Sequence, residues 1–147
     1  MPTVFIMVGI PGAGKTTWAL SHPELAYVGS DAIRRELYGR EMTPRGYRRV
    51  HRIMAVRMRE HLAAGRDVVV DSAHITPRAR RSLLKQLPPG SRAVAVFINT
   101  PLKQALHNNQ NRDRHVPEPG IRFLHRRLAP PTLQEGFHDI IHVSGRG

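Results

Sequence analysis

An apolar run, Val4 to Val8, leads directly into the segment Gly9-Ile10-Pro11-Gly12-Ala13-Gly14-Lys15-Thr16. This segment has the spacing G-x-x-x-x-G-K-[ST], in which a glycine-rich turn joins a strand to a helix. Glycine permits backbone angles closed to other residues, so successive N–H groups can converge on phosphate oxygens. The lysine would reach the terminal phosphates of a nucleotide, and the threonine hydroxyl would hold Mg²⁺. We therefore predict a nucleotide-binding site formed by Gly9, Gly12, Ala13, Gly14, Lys15, Thr16 and Thr17.

The charge of the chain is strongly positive and unevenly distributed. The 147 residues carry a formal net charge of +12, and arginine supplies nearly all of the basic side chains. Thirteen arginines lie between Arg34 and Arg81, against five acidic residues. A local field of this kind attracts polyanions in a salt-dependent way, and the planar guanidinium group suits phosphate. One interpretation is a nucleic-acid surface, and the other is a generally basic surface without a ligand.

Chain length and apolar patterning indicate one soluble unit. We expect a single domain over residues 1–147, because this length suits one hydrophobic core. The sequence has no run of eighteen apolar residues, and its first strand lacks the basic region and cleavage site of a signal peptide. We expect a cytoplasmic protein without membrane contact. The lack of cysteine excludes disulfides and thiolate metal sites.

Apolar runs alternate with amphipathic segments along the chain. Strands are predicted at 3–9, 25–29, 67–71, 93–98 and 139–143, and helices at 15–21, 32–38, 43–64, 77–87, 101–111 and 120–128. In the longest helix, Tyr47, Met54 and Met58 fall on the apolar stripe that we assign to the core, whereas the arginines fall largely off it. The alternation predicts an α/β fold: a parallel sheet of about five strands with helices on both faces. Its ligands would bind beyond the carboxyl ends of the strands.

Two charged residues follow the second predicted strand, on the same rim as the glycine-rich loop. The Asp31 carboxylate could accept the proton of an attacking hydroxyl, and Ser30 or Asp31 could also cap the following helix. Arg34, one turn later, could hold the acceptor or the transferred phosphoryl group. We therefore predict that Asp31 and Arg34 are catalytic and contact the substrate.

A second carboxylate, Asp71, ends the Val-Val-Val strand in the position of a Walker B aspartate. It could act on Mg²⁺ through a water molecule, or it could orient Arg34 and the acceptor, and the residues leave both roles open. Ser72 follows on the same rim and is predicted to touch the substrate. His74 is expected to be a surface histidine.

A polar, proline-bearing segment lies near the end of the chain, where we predict a lid at about residues 109–128. An arginine that enters from a lid can neutralise charge developing on a γ phosphate. Arg112 is the first choice for that role and Arg114 the second. The alternative is a solvated loop.

Taken together, these motifs resemble the kinase domain of the bacteriophage polynucleotide kinase family. The resemblance spans nearly the whole chain and rests on Gly9 to Ala19, Ser30-Asp31 with Arg34, Val70-Asp71, and Asn109-x-x-Arg112 before Val116-Pro117. It implies a P-loop kinase fold that uses ATP and Mg²⁺. It implies that Asp31 is the general base, that Arg34 binds the acceptor's phosphate, and that Asp71 supports them. Lys15, Thr16 and Arg112 would lie at the ATP phosphates and the metal.

One departure from that family concerns the acceptor side, since Ser72-Ala73-His74 replaces the Thr-Asn that often follows the aspartate. We expect transfer of a γ-phosphoryl group from ATP, or another NTP, to a 5′-hydroxyl end of RNA or DNA. Arg48 and Arg52 would bind the acceptor strand. One alternative is a small-molecule kinase that acts on a nucleoside or another metabolite alcohol. A second alternative is a non-catalytic module that binds nucleic acid under nucleotide control.

Overall fold

The computed structural model describes residues 1–39, 46–111 and 116–144. Within these ranges the strands are β1 Thr3–Val8, β2 Ala26–Gly29, β3 Val68–Asp71, β4 Arg92–Asn99 and β5 Asp139–Ser144. The α-helices in the same ranges are α1 Lys15–Leu20, α2 Ser30–Tyr38, α3 Tyr47–Ala63, α4 Pro77–Leu84, α5 Leu102–Gln110 and α6 Glu118–Arg127. A 3₁₀ turn occupies Leu133–Glu135.

The strands form one parallel sheet in the order β2-β3-β1-β4-β5. The central strand β1 pairs with β3 on one side and β4 on the other, so that Val4 lies between Val68 and Ala93. From β1 the chain continues to β2 at one edge of the sheet, whereas from β4 it continues to β5 at the other edge. The topological switch point of the sheet therefore lies at β1. The loop after β1 therefore lies where an open α/β sheet binds its ligands.

Helices cover both faces of the sheet, as the sequence predicts. One buried cluster joins Val4, Ile6 and Val70 to residues of α2, α3 and α4. The other joins Met7, Val69 and Val96 to residues of α1, α5 and α6. Successive strand residues point to opposite faces, which explains why continuous valine and isoleucine runs are buried on both sides.

Helix α3 differs from its prediction at its start. Residues 43–45 lie outside the described residues, and Gly46 precedes the helix in the left-handed region at φ 72°. Met54 and Met58 are buried as predicted, but the assignment of Tyr47 to the core is wrong because the residue is 57% exposed. It lies in the first turn of the helix, and the buried residues of this stripe begin with Val50.

The start of α2 also differs from the prediction. Gly29 is the N-cap, so Ser30 and Asp31 occupy the first helical turn and neither is the cap. A carboxylate in this turn still interacts favourably with the positive end of the helix dipole. Within the described ranges, no helix combines the length and apolar character needed to span a bilayer.

Candidate active site

The glycine-rich loop between β1 and α1 has a conformation that requires glycine at two positions. Gly12 and Gly14 have φ angles of 83° and 108°, which disfavour any side chain. A Cβ atom on Gly12 would also collide with the backbone carbonyl of Ala105 in α5. The loop therefore packs directly against α5, and this close contact requires glycine at position 12.

Two polar side chains outside the motif bind the carbonyl groups of this loop. Asn108 Nδ2 donates to the Gly12 carbonyl at 2.9 Å, and Thr100 Oγ1 donates to the Ala13 carbonyl at 2.7 Å. These bonds fix two of the loop's carbonyls from outside, and the Ala13 amide donates to the Ile10 carbonyl within the loop at 3.1 Å. Sequence reasoning missed both residues, because their roles depend on the docking of α5 against the loop.

Lys15 lies across the loop that precedes it. Its Nζ donates to the carbonyl oxygens of Gly9 and Ile10, each at 3.0 Å. These bonds place a positive charge beside the glycine-rich turn. The residue therefore lies where the motif predicts the charge that faces nucleotide phosphates.

Thr16 and Asp71 meet at the carboxyl edge of the sheet. Thr16 Oγ1 donates to Asp71 Oδ2 at 2.8 Å, and the Tyr27 hydroxyl donates to the same oxygen at 2.6 Å. Burial raises the pKa of the Tyr27 phenol, and the adjacent Asp71 carboxylate raises it further, so the phenol stays a proton donor. Hydroxyl and carboxylate oxygens are the protein ligands that Mg²⁺ prefers, and this pair fits the predicted metal position.

The contact between Tyr27 and Asp71 depends on a glycine. Tyr27 and Gly29 are two residues apart on β2 and share one face, and Gly29 is paired with Asp71 across the sheet. A Cβ atom on Gly29 would lie only 2.6 Å from the Tyr27 hydroxyl oxygen. The tyrosine can therefore lie over this position and reach the carboxylate. Tyr27 was not predicted as a site residue from the sequence. The Tyr-x-Gly pattern shortly before Asp31 could have indicated it.

Asp31 and Arg34 form a pair on the first turns of α2. Arg34 Nη1 lies 3.3 Å from Asp31 Oδ1, with the arginine side chain 15% exposed and the aspartate 44% exposed. The Nε of Arg34 is buried and has no hydrogen-bond partner in the described part of the chain. An unpartnered buried donor is costly, which marks this guanidinium as a group with binding capacity to spare.

One large cleft contains the loop and this pair together. Its volume is about 2020 Å³, beyond the roughly 300–1,000 Å³ of most small-ligand sites. The predicted site residues that line it are Gly12, Ala13, Gly14, Lys15, Thr16, Thr17, Asp31, Arg34, Arg48, Arg52, Asp71 and Ser72. Gly9 lies at the loop's start, outside this lining. Arg112 and Arg114 lie outside the described residues, as do the other residues of 112–115 in the predicted lid.

The cleft extends past the loop on the side away from Asp31. Its lining there includes Asn111 after α5, Val116 and Leu124 at α6, and Val143 and Ser144 at the end of β5. These residues were not predicted as site residues, because they come from three distant segments. The two sides of the cleft give the loop one mostly apolar flank and one charged flank.

The expectation that His74 lies at the surface is wrong. Its side chain is buried, and its Nδ1 donates to the Met7 carbonyl at 2.9 Å. Burial lowers the pKa of His74 to about 4, so the ring is neutral near pH 7. Its φ of 47° is unusual for a residue with a side chain.

A buried ion pair holds the segment that carries His74. Arg80 is fully buried and binds Glu135 through Nε at 2.7 Å and Nη2 at 3.0 Å, while its Nη1 donates to the His74 carbonyl at 2.8 Å. The Gly9 amide donates to the Ala73 carbonyl at 3.1 Å. These bonds join the segment after Asp71 to the phosphate loop, so the two sides of the site are held together.

The sheet order, the loop and the rim carboxylates define the class of this chain: it has the α/β fold of P-loop kinases. A family model described as an AAA domain matches residues 4–131. The chain therefore belongs to that family, the AAA_33 family of AAA domains.

Solved structures with this fold differ in what they are described as doing. A chain of the Pnkp1/Rnl/Hen1 RNA repair complex aligns with a TM-score of 0.76 and 18% identity, over 86% of this chain and 44% of that one. A gluconokinase from Sinorhizobium meliloti 1021 aligns at 0.65 and 18%, over 99% and 84%. A fungal RNA kinase aligns at 0.70 and 15%, over 99% and 76%. This chain thus spans under half of the RNA-repair chain, and at these identities the likeness establishes the fold.

Proposed function

We propose that the protein transfers the γ-phosphoryl group of ATP to a 5′-hydroxyl end of RNA or DNA. The observation that carries the proposal is the Asp31–Arg34 pair, which lines the same cleft as the phosphate loop. A carboxylate beside a phosphate site supplies a base, and an arginine with unused donor capacity supplies an anion contact.

The donor nucleotide occupies the loop and the apolar flank. Backbone N–H groups of the loop and Lys15 bind the β and γ phosphates, while Val116, Leu124 and Val143 offer a surface for the base. Thr16 and Asp71 would hold Mg²⁺, directly or through water, and the bound ion would neutralise charge on the phosphate oxygens. Within the described ranges, no three His, Asp or Glu side chains group as a metal site.

The acceptor occupies the charged flank. Its hydroxyl oxygen bonds to the γ phosphorus while the bond from that phosphorus to the bridging oxygen breaks, and ADP leaves. Asp31 takes the hydroxyl proton, and Arg34 binds an anionic oxygen of the acceptor or of the group in transit. Arg112 would bind the γ phosphate from the lid. These residues thus have separate tasks in the proposed reaction, which are positioning, proton acceptance and charge neutralisation.

A polynucleotide acceptor is favoured by the arginines of the cleft. Arg48 and Arg52 are exposed and line it, and neither makes a hydrogen bond or ion pair within the ranges that the structure describes. Farther along α3, Arg57 binds Glu36 at 2.8 Å and Arg59 binds Gln86 at 2.7 Å. Arg48 and Arg52 therefore keep their charge available for phosphates beyond the terminal nucleotide.

A small-molecule kinase is the second candidate. It is favoured by the likeness in fold to the gluconokinase, which aligns over 99% of this chain with a TM-score of 0.65. A sugar or nucleoside acceptor would use the same loop and Asp31. It would leave most of the arginine-lined space without a ligand.

The decisive experiment offers labelled ATP and Mg²⁺ to several acceptors in parallel. These are single-stranded RNA and DNA with 5′-hydroxyl ends, the same strands already 5′-phosphorylated, free nucleosides, and gluconate. Transfer to the 5′-hydroxyl strands alone supports the proposal. Transfer confined to a nucleoside or sugar supports the second candidate, and ATP-dependent retention of oligonucleotide without any product supports a binding module.

A further inference from the structure

The first turns of α3 present an aromatic pair to the cleft. Tyr47 and His51 are one turn apart, with ring centroids 4.1 Å apart and planes tilted by 43°. Both line the cleft, as do Arg48 and Arg52 beside them on the same helix. Tyr47 is 57% exposed, which is unusual for so large a ring and indicates a surface with capacity for a further contact.

The position of Tyr47 is set by the backbone at the start of α3. Gly46 lies in the left-handed region at φ 72°, and a Cβ atom there would collide with the hydroxyl of Tyr38. The Gly46 carbonyl accepts from the Val50 amide at 2.8 Å, and Val50 is fully buried in the core. The ring therefore projects from an anchored turn, so little freedom is lost when a ligand binds it.

His51 connects this pair to the proposed catalytic residues. Burial lowers the pKa of His51, and the positive charge of Arg34 lowers it further. The ring is therefore neutral near pH 7 and lies within electrostatic range of Arg34. The aromatic pair and the Asp31–Arg34 pair belong to one flank of the cleft.

We propose that Tyr47, backed by His51, stacks against the base of the acceptor's 5′-terminal nucleotide, while Arg48 and Arg52 bind the phosphates that follow it. This inference rests on the proposed function. Flat rings interleaved with guanidinium groups are how proteins bind single strands without reading sequence, because every base has a π face. The acceptor is then a 5′ end whose terminal base is unpaired, as in a single strand or a 5′ overhang. A blunt duplex end would not fit.

The test compares two oligonucleotides that differ only in the terminal base. One carries an ordinary 5′ nucleotide, and the other has an abasic 5′ residue that keeps the sugar, the 5′-hydroxyl and the following phosphates. Loss of one stacked base weakens binding by roughly 5- to 150-fold. We expect kcat/KM of the unmodified protein to fall by about that factor on the abasic strand, mainly through KM.

Variants then assign the effect to Tyr47. Tyr47→Ala should lower kcat/KM on the ordinary strand by a similar factor and leave the abasic strand unchanged, whereas Tyr47→Phe should retain the discrimination. Phe123→Ala is the matched control, because Phe123 is a 49% exposed ring on α6 that does not line the cleft. It should change neither strand.

The outcomes separate this inference from the proposed function. If polynucleotides are phosphorylated but the ordinary and abasic strands react equally, the stacking proposal is overturned while the kinase proposal stands. An equal loss on both strands in Tyr47→Ala would also overturn it. The comparison of strands with the unmodified protein needs no variant, so it decides the matter even if a substitution impairs folding. If no polynucleotide is phosphorylated, both proposals fail.

Discussion

At the scale of single residues, the site depends on carboxylates in two different environments. Asp31 is 44% exposed at the start of α2, while Asp71 is buried and accepts bonds from Thr16 and Tyr27 at one oxygen. An exposed carboxylate can take a proton from an acceptor hydroxyl. A buried carboxylate that accepts two hydrogen bonds is held in one position. This contrast supports the proposal that Asp31 accepts the proton and that Asp71 would help to position Mg²⁺.

Asp31→Asn tests the proposed base. Turnover should fall at least about a hundredfold, because the amide cannot take the hydroxyl proton, while ATP affinity should change little. Phosphate transfer gives the first quantity, and titration calorimetry with ATP gives the second. Glu36→Gln on the same helix is the control, since that carboxylate binds Arg57 at the surface. Unchanged turnover in Asp31→Asn would remove this residue from the mechanism.

Tyr27→Phe tests the support of Asp71. The substitution removes a donor to a buried carboxylate and should lower the free energy of unfolding by about 1–3 kcal/mol. Urea unfolding measures the change. Tyr47→Phe is the control: it also removes one hydroxyl, but from an exposed ring, and should alter stability by less than about 0.5 kcal/mol. Equal effects of the two would show that the Tyr27–Asp71 bond adds little.

At the scale of elements, α3 has two different parts. Its core side buries Val50, Met54 and Met58. Its opposite side carries Arg48 and Arg52, which have no partner among the described residues, and Arg57 and Arg59, which are hydrogen-bonded. One helix thus closes a face of the sheet and supplies a charged wall to the cleft. Its apolar period serves the core, and the positions off that period serve the proposed acceptor site.

Arg48→Ala and Arg52→Ala test that wall. Each should weaken oligonucleotide binding and reduce the slope of log affinity against log salt by about 1, because one phosphate contact is lost. Fluorescence anisotropy at several salt concentrations measures the slope. Arg57→Ala, from the same helix but paired with Glu36, should leave it unchanged. Unaltered slopes in all three variants would exclude this face from binding.

The ion pair between α4 and the 3₁₀ turn also belongs to this scale. Arg80→Met would leave the Glu135 carboxylate without its buried partner and should cost about 3–5 kcal/mol of unfolding free energy. Arg80→Met combined with Glu135→Gln should recover part of that loss, because no unpaired charge remains. Denaturant unfolding of both variants provides the comparison. A double variant no more stable than the single one would contradict this account.

At the scale of the whole molecule, the response to pH follows from histidines held neutral by the fold. Burial lowers the pKa of His74 to about 4, below the 6.5 of the unfolded chain, so that only the unfolded state gains a proton between those values. Above pH 6.5 His74 is neutral in both states and does not lower the free energy of unfolding. As the pH falls from 6.5 towards 4, protonation of the unfolded state lowers the free energy of unfolding by about 3 kcal/mol.

His74→Asn isolates this effect. The amide Nδ2 corresponds to the ring Nδ1 that binds the Met7 carbonyl, and asparagine tolerates the positive φ at this position. Unfolding free energies at pH 7 and pH 4.5 should therefore differ less for the variant than for the unmodified protein. Burial also lowers the pKa of His51 and His61, so the variant keeps part of the slope. Identical slopes would show that His74 titrates normally.

The order of strands and helices was predictable because each element is specified by a local sequence pattern. Valine-rich runs, a proline at the first turn of α4 and glycines at breaks each act on a few neighbouring residues. Each strand and α-helix in the described part of the chain was predicted, with ends within a few residues. The starts of α2 and α3 differ because Gly29 and Gly46 precede these helices, and α4 ends at Leu84, three residues before its predicted end.

The sequence by itself determined the phosphate loop, the parallel α/β architecture and the two rim carboxylates, since each depends on spacing within one segment or on the end of one strand. Only the tertiary structure decided that Tyr27 reaches Asp71, that His74 is buried and that Tyr47 is exposed beside His51. Burial and hydrogen-bond partners depend on which distant segments pack together. A pattern that is local along the chain cannot specify them.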